Sequence, residues 1–315
     1  MKKVLFLGTP EVAAQALSYL LSHSGALFEV VGVVTQPPAR STRRSGETPS
    51  PVHALALQKN LRVFTPEKAR DPEFLESVRL LAPDLCITAA YGNVLPDQFL
   101  SIPPFGTLNI HPSLLPKWRG AAPVQRFVEA GERESGVSVL FTVKAMDAGP
   151  IVCQEKVLVD ENEAAPELLT RLFALGAEAL VNVLPRVFSR DINPWEQDVS
   201  LVTHARKLDI SESILDFSLT AGVLHNKVRA FSGWPGTRAS FRLGEELLEL
   251  KILRTRVGRG ATRAGAVVVG GGVIRVGCAS GTELEVLEIQ APGKKAMSAK
   301  DFANGLKGRE LTLVT

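Results

Sequence analysis

Short unbroken apolar runs alternate with helix-spaced stretches through the first half of the chain. Val4-Leu5-Phe6-Leu7 is such a run, stopped by Gly8, and residues 11–21 then carry apolar side chains at helical spacing. Residues 28–34 are apolar and valine-rich, the composition of a second strand. Pro51 opens a helix over 51–59, because proline at a first helical position lacks only an N–H that the helix leaves unbonded. A short strand at 61–64 and a helix at 71–81, begun by Pro72, follow. Residues 85–88 and 107–110 are further buried-strand runs. Strands apolar on both faces, alternating with helices, predict a mostly parallel sheet covered on both sides.

The pattern then changes. Residues 137–143 and 151–159 are strand-like, and the short connection at 144–150 predicts that they pair antiparallel at the sheet edge. A long amphipathic helix is expected over 165–188, kinked or ended by Pro185. Residues 189–208 hold Asp191, Asn193, Pro194, Asp198 and Ser200 with little periodicity, which reads as a linker. Beyond it come a helix at 219–231 capped by Ser218 and several short alternating strands over 237–287 broken by glycine pairs. That is the signature of a small barrel or open β-sheet. Ser298-Ala299-Lys300-Asp301 resembles a capping box opening a last short helix. The chain therefore divides into 1–189, a linker at 190–208, and 209–315.

Composition narrows the class. With 315 residues, 45% hydrophobic and 22% charged, the chain is long enough for about two folded domains and too apolar to be disordered. No apolar run approaches the roughly 20 residues of a membrane span. Lys2-Lys3 before apolar residues mimics a secretory start, but Gly8-Thr9-Pro10-Glu11 breaks the stretch without a small-residue cleavage site. Cys86, Cys153 and Cys278 are far apart and show no CxxC spacing, against a disulfide scaffold or a structural zinc site and for reduced intracellular thiols. The net charge is +3, unevenly spread: residues 209–315 hold 15 Lys+Arg against 11 Asp+Glu, and the rest of the chain is close to neutral. Polyanion binding and a plain solvated basic surface both fit.

Candidate chemistry concentrates in Asn109-Ile110-His111-Pro112-Ser113-Leu114-Leu115-Pro116 and in Met146-Asp147-Ala148-Gly149-Pro150. Asn109 and His111 are two residues apart on a strand, so both side chains leave on one face. His111 stands at a strand's carboxyl end, where open α/β sheets bind ligands. An amide, an imidazole and a carboxylate suit transfer of a one-carbon acyl group to an amine. Asn109, or a protonated His111, can donate to the oxygen that gains negative charge, and Asp147 can take the amine's proton through a water. Each residue alone also has an ordinary reading: a satisfied interior histidine, a turn-forming aspartate, an asparagine of no specificity.

The whole string carries more. Asn109-x-His111-Pro112-Ser113-Leu114-Leu115-Pro116-x-x-Arg119-Gly120-Ala121-Ala122-Pro123 resembles the signature of the folate-dependent formyltransferases. Its extension through Val124-Gln125 is similar to the branch whose acceptor is methionyl-tRNA. Gly8-Thr9-Pro10, Thr35-Gln36-Pro37, Pro49-Ser50-Pro51-Val52 and Ala90-Tyr91-Gly92 fit the family's N-terminal domain. Asn226-Lys227-x-Arg229-Ala230-Phe231-x-x-Trp234-Pro235-Gly236-Thr237 and Gly293-Lys294-Lys295-Ala296-Met297 fit its C-terminal domain. The resemblance implies a Rossmann-like α/β domain, an OB-like C-terminal domain, the donor 10-formyltetrahydrofolate, the acceptor initiator methionyl-tRNA, no metal, a monomer and no membrane. It implies Asn109, His111 and Asp147 as the catalytic set. Ser113, Leu114, Leu115 and Pro116, with Ala89, Tyr91, Gly92 and Leu95, would line the folate site. Contacts to tRNA would fall on Arg40, Arg43 and Arg44 in a basic loop, on Lys251, Arg254 and Arg256 along a strand, and on Lys294 and Lys295. The loop departs from the family pattern in lacking lysines around its arginines, which should weaken its phosphate contacts.

Other readings remain at this level: a small amine or water as acceptor, or an RNA-binding module with an inactive first domain. A nicotinamide oxidoreductase is disfavoured, because the first strand ends in Gly8-Thr9-Pro10-Glu11 and not in a GxGxxG turn. The expected compartment is the cytoplasm, with the mitochondrial matrix or plastid stroma as alternatives if a targeting segment was removed.

Overall fold

The structure, a computed structural model, describes residues 1–40 and 47–314. In chain order its elements are β1 (Lys2–Gly8), α1 (Glu11–Ser22), β2 (Phe28–Val34), β3 (Ala39–Arg40), β4 (Glu47–Thr48), α2 (Pro51–Gln58), β5 (Val63–Phe64), α3 (Pro72–Leu81), β6 (Leu85–Ala89), α4 (Asp97–Leu100), β7 (Thr107–His111), β8 (Arg119–Gly120), α5 (Pro123–Ala130), β9 (Glu134–Phe141), β10 (Ile151–Leu158) and α6 (Ala165–Ser189). These continue with β11 (His204–Ala205), α7 (Ala221–Ala230), β12 (Thr237–Leu243), β13 (Glu246–Val257), β14 (Val267–Gly270), β15 (Val273–Gly277), β16 (Glu283–Gln290), β17 (Met297–Ser298), α8 (Ala299–Gly305) and β18 (Leu311–Leu313). They form two compact units. The first comprises Met1–Gly120, Glu134–Val157 and Leu169–His204; the second comprises Ala121–Arg133, Leu158–Leu168 and Ala205–Thr315.

The first unit is built on a seven-stranded sheet of order β10-β9-β7-β6-β1-β2-β5. Its β7, β6, β1, β2 and β5 run parallel, and β9 pairs antiparallel with β7. The period-two geometry of a strand explains why these runs are apolar throughout. Val4 and Phe6 enter the core formed with α1, α2 and α6, while Leu5 and Leu7 enter the opposite core formed with α3 and α4. Strand order reverses at β1, with β2 on one side and β6 on the other, which is where a Rossmann-like sheet opens a crevice at its carboxyl ends.

The structure adds detail to two local expectations. Pro185 does not end α6, which runs on to Ser189; proline removes one backbone donor there, and buried Leu184 and Val187 on either side of it hold the last turn in the core. Although α6 has the length and mean hydropathy of a membrane span, half of its apolar window is buried, and Phe173, Ala177 and Leu180 pack on the sheet. The segment expected as a linker is also largely tied down. Ile151 and Trp195 exchange backbone hydrogen bonds, and the Arg119 N–H donates to the Thr203 carbonyl.

The second unit holds an antiparallel sheet of order β14-β15-β16-β13-β12-β18, whose end strands β14 and β18 approach each other, so the barrel is nearly closed. Leu224 and Val228 of α7 fill its core with Leu250, Ile252, Val286 and Ile289. The cap of α7 is Thr220 rather than Ser218, whose N–H is taken by the Asp216 carboxylate two residues earlier. Ser298 caps α8 as expected, accepting the Asp301 N–H at 3.1 Å.

Polar side chains join the pieces of this unit. The Arg126 guanidinium of α5 is buried and makes two parallel bonds of 2.9 Å to the Glu212 carboxylate, with a third to Glu129 at 2.6 Å. Arg229 of α7, buried as well, donates to the carbonyls of Glu163 and Val128. His225 places Nε2 2.9 Å from the Glu161 carbonyl and Nδ1 3.0 Å from the Thr255 hydroxyl. The Asn226-Lys227-x-Arg229 string is thus, in large part, a clamp that gathers α5 and residues 158–168 onto α7.

Candidate active site

The site starts at β7. Leu108 and Ile110 face the α6 core, so Asn109 and His111 project from the other face. Thr88 stands beside Asn109 in register on β6, and its hydroxyl donates to Asn109 Oδ1 at 2.8 Å. That bond fixes the amide plane and leaves the Nδ2 donors for a ligand.

His111 is buried. Its Nε2 lies 3.1 Å from the Trp118 carbonyl, which can only accept, so Nε2–H donates there. Its Nδ1 faces Asp147 Oδ1 at 3.6 Å. The other carboxylate oxygen, Oδ2, accepts the Gly120 N–H at 2.9 Å. Asp147 and Trp118 both sit in the left-handed region, with φ of +52° and +63°. Such backbone costs about 1–3 kcal/mol per residue and persists only where its surroundings over-determine it. Here the Trp118 N–H bonds to the Thr203 hydroxyl at 2.8 Å, and Gly149 supplies the close approach that the 142–150 connection needs. A Cβ at 149 would collide with the Phe141 carbonyl oxygen.

The Ser113–Pro116 loop is anchored inward. The Ser113 hydroxyl donates to the Lys117 carbonyl at 2.7 Å, and Ser138 donates to the Ser113 carbonyl at 2.6 Å while accepting the Leu115 N–H. Leu115 packs with Leu140 and Ile151, and the Leu115–Pro116 peptide is cis. Leu114 reaches Gly136 of β9, where any side chain would overlap it. Ala89, Tyr91 and Leu95 are likewise buried, whereas Gly92 is exposed with φ of +88°. The Tyr91 carbonyl accepts from Thr9 Oγ1 at 3.0 Å and from Gln36 Nε2 at 3.3 Å, joining the Gly8-Thr9-Pro10 turn to this loop across the crevice. A cleft of about 380 Å³ beside it is lined by Lys68, Ala69, Arg70, Asn93, Val94 and Pro96. Among the described residues no group of three or more His, Cys, Asp or Glu side chains converges as a metal site requires.

The structure also brings in residues that sequence reasoning missed. Thr88 carried no signal beyond being a polar residue in a buried strand. Gln197, buried in the expected linker, bonds both Arg119 and the 147–149 backbone; nothing in its aperiodic surroundings marks it.

The basic candidates separate by environment. Backbone pairing of Ala39 with Thr48 and of Arg40 with Glu47 places Arg40 on a two-stranded ribbon, and Arg43 and Arg44 lie outside the described residues. Strict alternation along β13 would put Lys251 and Arg254 on opposite faces. A bulge between Ile252 and Thr255 shifts the phase, so that Lys251, Arg254 and Arg256 are all exposed. The facing strand is acidic: Arg256 pairs with Glu285, and Arg254 stands opposite Glu288. Lys294 and Lys295 are exposed beyond the end of β16, and the Lys294 carbonyl accepts from Gln290, the register partner of Lys251.

Comparison with known proteins agrees with this architecture. Residues 2–184 match the formyl transferase family and residues 207–307 the formyl transferase C-terminal domain. The chain is 39% identical to a methionyl-tRNA formyltransferase of Methylococcus capsulatus, over 98% of this chain and 99% of that one. It is also 39% identical to the Thermotoga maritima protein of the same name, over 96% and 95%. Among solved structures it resembles the Helicobacter canadensis N-formyltransferase complexed with folinic acid and dTDP-3-aminofucose, with a TM-score of 0.66 and 17% identity over 92% of this chain and 100% of that one. The sugar 3N-formyltransferase WlaRD, solved with dTDP and 5-N-formyl-THF, gives a TM-score of 0.67 at 15% identity over 94% and 99%. Likeness to both family domains, carried along nearly the whole sequence, establishes that this chain belongs to the formyl transferase family.

Proposed function

We propose that this protein transfers the formyl group of 10-formyltetrahydrofolate to the α-amine of initiator methionyl-tRNA. The observation that carries the reading is the meeting of His111 and Asp147 at the carboxyl end of β7, with Asn109 presented on the same strand face. Near full-length likeness to proteins named methionyl-tRNA formyltransferase supports this acceptor, and family members solved with folinic acid and 5-N-formyl-THF support a folate-type donor.

In the reaction a bond forms between the amine nitrogen and the formyl carbon, and the bond from that carbon to the folate nitrogen breaks. The amine loses a proton and the folate nitrogen gains one. Asn109 Nδ2 donates to the formyl oxygen as it becomes anionic, a contribution of about 3–4 kcal/mol when well placed. Asp147 accepts the amine's proton, directly or through one water, and the same proton passes on to the leaving folate nitrogen, which restores the carboxylate. His111 faces that carboxylate through Nδ1 and reaches the formyl oxygen with Nε2–H only by releasing the Trp118 carbonyl. The Ser113–Pro116 loop and the Ala89, Tyr91, Gly92 and Leu95 segment form the donor's walls, chiefly through backbone shape, since most of these side chains point inward.

On this reading residues 1–189 carry the chemistry and 209–315 bind tRNA, with 190–208 between them and 121–133 and 158–168 supporting the tRNA-binding unit. Lys251, Arg254, Lys294 and Lys295 face phosphates, Arg256 contributes less because of Glu285, and Arg40, Arg43 and Arg44 supply further tRNA contacts. The protein acts as a monomer in the cytoplasm, without a metal. The test is formyl incorporation from 10-formyltetrahydrofolate into charged initiator tRNA, with glycinamide ribonucleotide and a nucleotide-linked amino sugar as rival acceptors. Preference for the tRNA by a factor of about 100 or more in kcat/KM is expected. Equal or better use of a small amine would overturn the acceptor.

A further inference from the structure

We infer that Gln197 is a positioning residue for Asp147, an inference that rests on the proton-accepting role proposed above. Gln197 is buried, and each of its polar atoms is engaged. Its amide nitrogen donates to the carbonyls of Asp147 and Gly149, both at 2.8 Å. Its Oε1 accepts from Arg119 Nε at 2.9 Å and Nη2 at 2.7 Å. The next residue after Arg119 closes the circuit: the Gly120 N–H donates to Asp147 Oδ2. Asp147 is therefore held at both ends, its carbonyl by Gln197 and its carboxylate by the strand that Gln197 fixes through Arg119.

This matters because of where Asp147 sits. The preceding residues Val143, Lys144, Ala145 and Met146 are exposed, and Asp147 itself has φ of +52°. A left-handed residue at the end of an exposed stretch relaxes unless its surroundings hold it. Gln197 pins the two carbonyls on either side of Ala148, and so sets the direction in which the carboxylate leaves the chain. Displacing a reacting group by about 1 Å costs on the order of 100-fold in rate. Gln197 lies outside both conspicuous motifs, and its two bonds add to the Ala148 N–H, which donates to the Ala145 carbonyl at 3.3 Å.

The test compares Q197M and Q197E with the parent protein in full-length form, in the parent and D147N backgrounds, reading kcat and the KM for 10-formyltetrahydrofolate. Methionine fills the volume without either bond; glutamate keeps an acceptor for Arg119 but turns an oxygen toward two carbonyls. Both should lower kcat about 10- to 100-fold with donor KM changed less than about threefold. In D147N, whose carboxamide no longer accepts the proton, the same changes should cost less than about twofold more. Should Q197M fail to fold, Q197E decides on the same readout. Parent-like kcat in a folded variant overturns the inference, as does an equal fold-loss in both backgrounds, which a purely structural role produces. A D147N protein with parental turnover would instead overturn the role assigned to Asp147, a result visible before any Gln197 variant is made.

Discussion

Asn109 is the residue whose geometry says most, because a carboxamide that already has one end bound can present the other without searching. The Thr88 hydroxyl supplies that binding at 2.8 Å. Thr88→Val removes the donor at nearly constant volume, so Asn109 should rotate and kcat fall about 10-fold, with donor KM little changed. Thr88→Ser should restore most of the loss, measured by steady-state formyl transfer; a valine variant with parental kcat would mean the amide is oriented by something else. The pairing of Asn109 with His111 was legible in sequence because a strand's period is two. Thr88 was not, since its contact comes from a neighbouring parallel strand whose register no local pattern encodes. Gln197 escaped for a related reason: its partners, Arg119 and the 147–149 backbone, lie 78 and about 50 positions away.

At the scale of elements, runs largely apolar on both faces placed β1, β2 and β6 within a residue or two, because burial on two sides favours that composition; β7 was legible although its second face carries Thr107, Asn109 and His111. The β13 bulge was not readable, as a one-residue phase shift inverts every later side chain without altering the composition. Nor was the role of the charged residues in α5 and α7, which look like solvated helix faces until the second unit assembles around them. That assembly has a pH signature. The Arg126 guanidinium holds the Glu212 carboxyl down to about 2. The folded protein thus takes up that proton less readily than the unfolded chain, whose glutamate titrates near 4.5. The stabilisation is complete above about pH 4.5 and disappears as pH falls toward 2, on the order of 3 kcal/mol in all. Glu212→Gln should therefore be less stable at pH 7, with the deficit shrinking as pH approaches 2, as followed by urea unfolding of the second unit's signal. A deficit independent of pH would show that the ion pair is not what Glu212 provides. His225 acts in the same sense at higher pH: burial lowers its pKa, so acidification below the ordinary histidine range also favours unfolding.

For the whole molecule, an α/β sheet and a β-barrel were legible from the change of periodicity along the chain, and the excess of positive charge in 209–315 is the ground on which polyanion contact is proposed there. What no local pattern revealed is the interleaving: 121–133 and 158–168 belong with the second unit, because Arg126 and Arg229 make their bonds there. Cutting the chain at 208 would strand those segments, so charge reversal tests tRNA contact more cleanly than deletion does. The triple change Lys251→Glu, Lys294→Glu and Lys295→Glu should weaken tRNA affinity at least about 10-fold and reduce the slope of log K against log salt by about 2–3, leaving folate binding intact. Arg256→Ala should have a smaller effect, given its pairing with Glu285. An unchanged salt slope in filter binding would remove this face from the tRNA contact. The catalytic role of Asn109 is tested most directly by the single-turnover rate of formyl transfer from saturating 10-formyltetrahydrofolate to initiator methionyl-tRNA by the Asn109→Ala protein. A fall of about 100- to 1,000-fold with donor affinity preserved is the predicted result; a rate within threefold of the parent would contradict it.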